Sequence, residues 1–172
     1  MLSGCAISER ASVDTRAATT AKYFANWPEG SDPAEVGRRL ANNFVARGFD
    51  FQVNARHRWI IYPEVCAWYG ALQVADLTND EMLRQQLIGK FDQFLTPAGA
   101  RRLSPRAHVD YRITGVVPLQ IYLLNRDETY RALGLDFADK QWGTTTPDGI
   151  TTEGRYCSDD LYMLPILQVQ DY

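Results

Sequence analysis

The sequence predicts an all-α protein built from repeated helical hairpins, and two observations support that prediction. Apolar residues recur at spacings of three and four in successive segments, as on one face of an α-helix, and no comparably long alternating run indicates a sheet. A triplet of Leu, Gln and Val or Ile also recurs, at 72–74, 119–121 and 167–169, with its glutamines 47 and 48 residues apart. This period excludes tetratricopeptide units of about 34 residues. It leaves open a longer helical array or a closed toroid of helix pairs.

Three helices are predicted in the first half of the chain. The first helix is predicted to begin with Asp32 as its N-cap and Pro33 in its first turn, and to end at Gly48. A second helix begins at Pro63, and a tight turn at 77–80 leads to a third, which ends in a loop around 97–99. The three apolar faces are Val36, Leu40, Phe44 and Val45; Val65, Trp68, Tyr69, Leu72 and Ala75; and Leu83, Leu87, Phe91 and Phe94.

Three more helices are predicted in the second half. The fourth covers about 115–124, the turn 125–127 follows, and the fifth has an apolar face of Tyr130, Leu133, Phe137 and Ala138. The sixth opens at Ser158, a good N-cap, which places Asp159 and Asp160 in the first turn, where the helix dipole favours negative charge. Pro165 would kink this helix. An alternative therefore puts both aspartates on a short turn before a helix that starts near Pro165.

Composition narrows the range of functions. The chain has 172 residues, of which 45% are hydrophobic and 23% charged, enough for one core, and its net charge is -3 without a basic run. We therefore expect no nucleic-acid partner. The three cysteines and two histidines lack the spacing of a zinc site, so we expect no metal, and no apolar run approaches the length of a membrane span.

Residues 1–31 form an N-terminal segment that is distinct from the helical domain at 32–172. Residues 2–5 read LSGC and resemble the lipobox of bacterial lipoproteins, in which a signal peptidase cuts before the cysteine and a lipid is attached to it. The basic and apolar regions that precede a lipobox are missing, and four residues match easily by chance. Two interpretations stay open: a lipid anchor on Cys5 with a location in the cell envelope or periplasm, or a cytoplasmic protein.

The register of the repeat brings together residues that are distant in sequence. Asp110 lies ten residues before Gln120, Asp159 lies nine before Gln168, and Pro63, with Tyr62 beside it, lies ten before Gln73. Capping is a sufficient local explanation for each acid. In a ring of parallel inner helices, however, these positions would all lie on one rim, and each helix needs only its own cap. Two aspartates from successive repeats therefore suggest a carboxylate pair that serves a ligand.

Several motifs in the same order resemble the unsaturated glucuronyl and rhamnogalacturonyl hydrolases, glycoside hydrolase families 88 and 105, and family 105 more closely. They are 62–70 (YPEVCAWYG), 108–111 (HVDY), 133–142 (LGLDFADKQW) and 159–163 (DDLYM). The resemblance implies an (α/α)6 toroid. It also implies an enzyme that removes the 4,5-unsaturated uronic acid left at the end of an oligosaccharide when a polysaccharide lyase cuts the chain, with no organic cofactor and no metal.

The resemblance also implies roles for individual residues. Asp159 would protonate C4 of the enol ether and then activate the water that adds at C5, after which the hemiketal opens. Asp110 would help to hold the sugar and set the charge around Asp159, and Tyr62 would bind substrate. A helix N-terminus stabilises the ionised form of Asp159, which is unfavourable for an acid. Burial and the charge of Asp110 must therefore act in the opposite direction and favour its protonated form. Asp160 is expected to be a surface acid that stabilises the helix dipole.

Other residues of the predicted pocket are less clearly defined. Arg155 could pair with the uronate carboxylate as a substrate-binding residue, or be a solvated loop arginine. The family usually has an aromatic residue two places before the catalytic Asp, where this chain has Cys157 beside Tyr156. The tryptophans at 68 and 142 lie on apolar faces and are expected in the core, whereas the one at 59 fits either the core or a sugar platform.

An alternative from another class is a non-catalytic helical-repeat scaffold that binds a protein on its concave face. For the hydrolase, six helices are predicted within 172 residues against twelve in a complete ring. We therefore expect an N-terminal half that leaves Met163, Ile166, Leu167 and Val169 uncovered, is poorly soluble or self-associated, and is inactive alone.

Overall fold

The structure is a computed structural model that describes residues 26–49 and 58–171. The prediction of a lipobox at Cys5 lies outside the described residues. Within them the chain is α-helical without a strand, so the all-α class is confirmed. The helices are α1 (Pro33–Ala46), α2 (Tyr62–Leu77), α3 (Glu81–Asp92), α4 (Pro97–Ala100), α5 (Val109–Arg112), α6 (Val116–Asn125), α7 (Glu128–Gln141) and α8 (Asp160–Asp171). Short 3-10 turns follow α3 (Gln93–Leu95) and α5 (Ile113–Gly115).

The described residues fall into two units, one of residues 26–36 and one of residues 37–49 and 58–171. In the first unit, Asp32 caps α1 as predicted, because its Oδ1 accepts hydrogen bonds from the backbone N–H groups of Ala34 at 2.8 Å and Glu35 at 3.1 Å. The part of α1 from Gly37 onward and all the other elements described below belong to the second unit.

An aromatic cluster fills the core between α1, α2 and α3. The Trp68 ring lies 5.5 Å from Phe44, 5.3 Å from Phe91 and 6.0 Å from Phe94, centroid to centroid. Its indole N–H donates to the Leu87 carbonyl at 3.1 Å, so the one polar atom of this side chain is satisfied. The predicted apolar faces of α2 and α3 are thus largely confirmed. The prediction for α1 is wrong at Leu40, which is 67% exposed.

Helical hairpins repeat along the chain. α2 and α3 are joined by a short turn at 78–80, and α6 and α7 by another at 126–127. The first helices of successive hairpins are neighbours, since α2 packs against α6 and α6 packs against α8. Gln73 and Gln120, which occupy equivalent places in the repeat, are joined by a hydrogen bond of 2.8 Å. Gln168 departs from this pattern, because its amide bonds instead to α7, at Gln141 Oε1 (2.6 Å).

Two glycines let α7 lie close to the start of α6. A Cβ on Gly134 would lie 2.4 Å from Leu119 Cγ, and one on Gly115 would lie 2.5 Å from Phe137 Cβ. Both distances are far inside van der Waals contact. The glycines are therefore a packing requirement of this hairpin.

α8 begins at Asp160 and continues through Pro165, so the alternative of a helix starting near that proline is wrong. α8 packs against α6, α7, α5 and the 3-10 turn after α5, and its residues Met163 and Leu167 are buried, at 2% and 0% exposure. The expectation that both would be uncovered is therefore wrong, although Val169 is 69% exposed.

The expected core position of Trp142 is wrong as well, because that residue follows the last turn of α7 and is 49% exposed. No helix in the part of the chain that the structure describes is both long and apolar enough to cross a membrane.

Candidate functional site

The site is built on the loop between α7 and α8, and a buried ion pair fixes that loop. Arg112, at the end of α5, contacts both carboxylate oxygens of Glu153, with Nε–Oε2 at 2.8 Å and Nη2–Oε1 at 2.5 Å. Their side chains are only 5% and 3% exposed. The backbone carbonyl of Glu153 also accepts a hydrogen bond from the Val109 N–H at 3.1 Å. These bonds place the residues after Glu153 beside the start of α5.

Arg155 lies two residues further on, and its guanidinium contacts three carboxylates. Nη2 donates to Asp159 Oδ2 at 2.6 Å and to Asp160 Oδ1 at 3.1 Å, while Nη1 lies 3.0 Å from Asp110 Oδ1. We call these four residues the Arg155 cluster. Burial works to lower the pKa of Arg155, but the hydrogen bonds to Asp159 and Asp160 and the charge of Asp110 outweigh it, so the pKa is raised. The arginine is therefore charged, and it is not a solvated loop residue.

Asp160 is a structural part of the Arg155 cluster. Its Oδ2 accepts hydrogen bonds from the backbone N–H groups of Arg155 at 2.6 Å and Cys157 at 3.3 Å, which fold the loop back onto the start of α8. Burial acts to raise the pKa of this carboxyl, but these bonds and the Arg155 charge lower it further than burial raises it. The expectation of a surface acid is therefore wrong: Asp160 is 6% exposed.

Asp159 is the accessible acid of the pair. It immediately precedes α8, and its side chain is 49% exposed, against 8% for Asp160. Its backbone carbonyl accepts hydrogen bonds from the N–H groups of Tyr162 and Met163, both at 3.0 Å. The helix therefore holds the backbone of Asp159, and one oxygen of its carboxylate accepts a hydrogen bond from Arg155. The rest of the side chain is open to solvent. Of the two adjacent aspartates, Asp159 is the one that can meet a ligand.

Asp110 reaches the cluster from the first turn of α5. Its Oδ1 is buried, and the 3.0 Å contact with Arg155 is an ion pair without the alignment of a hydrogen bond. Its backbone N–H donates to His108 Nδ1 at 3.2 Å, which assigns the neutral imidazole a proton on Nε2. Protonation at Nδ1 would instead let His108 pair with Asp110 Oδ2, 3.6 Å away.

An aromatic and basic surface adjoins Asp110. The Tyr111 ring lies 5.8 Å from Trp59 and 5.9 Å from His108, in edge contacts. Two guanidinium groups lie over the Trp59 indole, that of Arg58 at 4.8 Å and that of Arg106 at 4.9 Å from the ring centroid. Trp59, for which the sequence left two roles open, is therefore a support for arginines.

The structure brings together three of the four predicted site residues: Asp110, Asp159 and Arg155. The fourth, Tyr62, lies at the start of α2, 37% exposed, and is not a member of the Arg155 cluster. Tyr156, beside the position where the family carries an aromatic residue, is 79% exposed.

The sequence did not predict the ion pair of Arg112 and Glu153, whose members are 41 residues apart and carry no local signal. It also gave His108 no role, although this residue stands in one of the motifs quoted above. Among the described residues, no group of three or more His, Cys, Asp and Glu side chains is arranged to hold a metal ion.

Compared with known proteins, the chain matches no protein-family model, no curated protein and no solved structure. The resemblance to glycoside hydrolase families 88 and 105 accordingly rests on the motifs in the sequence.

Proposed function

We propose that this chain belongs to a hydrolase that removes the 4,5-unsaturated uronic acid from lyase-generated oligosaccharides, and that its hairpins are part of an (α/α)6 toroid. One observation supports this most strongly. Asp110 and Asp159, from equivalent places in successive repeats, share the guanidinium of Arg155. A helix cap does not require two carboxylates from different repeats to contact one guanidinium. A site that transfers a proton to a charged sugar does require several charged groups close together.

In the proposed reaction Asp159 is the acid. Its proton goes to C4 of the substrate, the C4–C5 π electrons form the new C–H bond, and the positive charge that develops at C5 is shared with the ring oxygen. Asp159, now a carboxylate, takes a proton from a water molecule as that water adds at C5. The hemiketal so formed opens and releases the neighbouring sugar. The half-exposed carboxyl of Asp159 is accessible to both substrate and water.

Arg155 has a second role in this proposal. Arg155 Nη2 donates to Asp159 Oδ2 at 2.6 Å, so this carboxylate oxygen is already engaged with the guanidinium before substrate binds. The carboxylate of the unsaturated sugar is itself a strong partner for arginine. We expect the substrate carboxylate to bind Arg155 Nη2 in place of Asp159, which would leave Asp159 Oδ2 free to approach C4, while the backbone bonds of Asp160 keep the loop in place.

The test is the ultraviolet absorbance of the enol-ether carboxylate, followed over time with unsaturated disaccharides and the full-length gene product that contains this chain. We expect the wild type to consume the absorbance, and Asp159→Asn to abolish that loss while the circular dichroism spectrum is unchanged, because an amide cannot donate the proton. Activity of the variant within about tenfold of wild type would remove Asp159 from the role of acid. No consumption by the wild type across a panel of pectin, ulvan and glycosaminoglycan disaccharides would favour the scaffold alternative.

A further inference from the structure

A second, oppositely charged feature lies close to the Arg155 cluster. Arg58, Trp59, Ala98, Arg101 and Arg102 line a cleft of about 520 Å³, which we call the arginine cleft. Among the described residues, its lining contains three arginines and no Asp or Glu. All three arginines are exposed, and the loop after α4 supplies two of them in sequence.

Contacts with neighbouring residues hold two of these arginines, Arg58 and Arg102, in place. The Arg58 guanidinium stacks on Trp59, and the Arg58 carbonyl accepts a hydrogen bond from Arg102 Nη1 at 3.4 Å. The Arg102 carbonyl in turn accepts from the Ile60 N–H at 2.9 Å. Arg101 makes no ion pair with any of the described residues. Three exposed arginines thus line one cleft, and guanidinium groups are good partners for an anion.

The cleft is connected to the candidate site through one aromatic contact. Trp59, in the cleft lining, meets the ring of Tyr111 at 5.8 Å, and Tyr111 follows Asp110 directly in the chain. In the Arg155 cluster three carboxylates face one guanidinium, so that cluster is negatively charged overall. An anionic ligand approaching it needs positive charge nearby to offset the repulsion. The arginine cleft supplies that charge.

We propose that the arginine cleft binds carboxylates of a uronic acid chain beyond its unsaturated end, and so selects longer acidic oligosaccharides over neutral ones. The proposal rests on the proposed function for the position of the reacting sugar. The planar guanidinium groups match carboxylate oxygens two at a time. Trp59 lies under the guanidinium groups of Arg58 and Arg106, so we expect recognition by charge and not by stacking of a sugar ring.

The test measures binding without turnover. Saturated hexagalacturonate lacks the enol ether and cannot be consumed, so its affinity for the full-length gene product is measured by calorimetry, with a neutral hexasaccharide of glucose alongside. We expect the double change Arg101→Gln and Arg102→Gln to weaken hexagalacturonate binding at least about tenfold. We also expect the wild-type affinity to fall as salt is raised. Arg101→Gln alone, which breaks no ion pair among the described residues, should weaken binding in the same direction.

A matched control removes two arginines elsewhere. Arg126 and Arg131 flank Tyr122 and are not in the cleft lining, so changing both to Gln removes the same charge. The proposal is overturned if the control weakens binding as much as the cleft variant, or if the neutral hexasaccharide binds as tightly. Tighter binding of a single-stranded hexanucleotide than of hexagalacturonate would also overturn it, in favour of a nucleic acid. Hexagalacturonate binding by a protein that consumes no unsaturated disaccharide would refute the proposed function alone.

Discussion

Arg112 and Glu153 form a buried two-point ion pair, with both side chains at most 5% exposed, and it fixes the loop that carries Arg155. Removing one partner of such a pair leaves a buried charge without compensation. We therefore predict that Glu153→Gln lowers the free energy of unfolding by about 3–5 kcal/mol, measured by chemical denaturation. The control is Glu128→Gln, which breaks an exposed pair with Arg131 and should change stability by less than about 1 kcal/mol. Equal effects of the two changes would mean that the buried pair does not hold the loop.

Asp160 should matter for stability more than its neighbour. Its carboxylate accepts two backbone N–H groups and pairs with Arg155, and an amide cannot satisfy all of these donors. We predict that Asp160→Asn destabilises the protein by about 1–3 kcal/mol. Asp159→Asn, at a half-exposed position, should lower stability by less than about 1 kcal/mol. Thermal and denaturant unfolding of both variants decide this, and the reverse order of effects would contradict the assignment.

The lowered pKa of Asp160 also predicts a dependence of stability on pH. A carboxyl whose folded pKa lies below its unfolded value, about 3.9, contributes stability that is fully present above that value and is lost as pH falls through the folded pKa. We expect the free energy of unfolding to fall below about pH 4, with a shallower fall in Asp160→Asn. Urea titrations at a series of acidic pH values measure this. Identical slopes in wild type and variant would show that the carboxyl has the same pKa when folded and unfolded.

The close crossing of α6 and α7 predicts a strong effect of a single methyl group. Gly134→Ala would put Cβ 2.4 Å from Leu119 Cγ, so we expect a loss of about 1–3 kcal/mol of stability. Gly89, in α3, is the matched control because a Cβ there meets nothing within 4 Å. Gly89→Ala should stabilise the protein by about 0.5–1 kcal/mol through helix propensity. A stabilising Gly134→Ala would refute the packing requirement.

Asp110 should influence the reaction through its charge. If the proposed function holds, Asp110→Asn removes one of the carboxylates that share Arg155, so we expect a large loss of kcat/KM and a shifted pH profile for the activity that is left. Asp136→Asn, which breaks an exposed pair with Lys140, is the control and should leave the profile unchanged. A normal pH profile in Asp110→Asn would show that the two carboxylates do not act together.

The sequence by itself determined much of the local structure of the longer helices. Spacings of three and four fixed the apolar faces of α2 and α3, and Asp80 and Asp127 cap α3 and α7 because a cap depends only on residues two or three positions away. The repeat also indicated that Asp110 and Asp159 would share a neighbourhood, since equivalent places in stacked hairpins lie side by side.

Only the tertiary structure decided which acid is accessible and what Arg155 contacts. Adjacent residues at the start of a helix point in different directions, so the path of the loop from Glu153 buries Asp160 and leaves Asp159 half exposed. That path depends on a partner 41 residues away in Arg112. The exposure of Trp142 and the burial of Met163 were also decided by the tertiary structure. Each is set by which helices pack against it, and periodicity within one segment does not determine that contact.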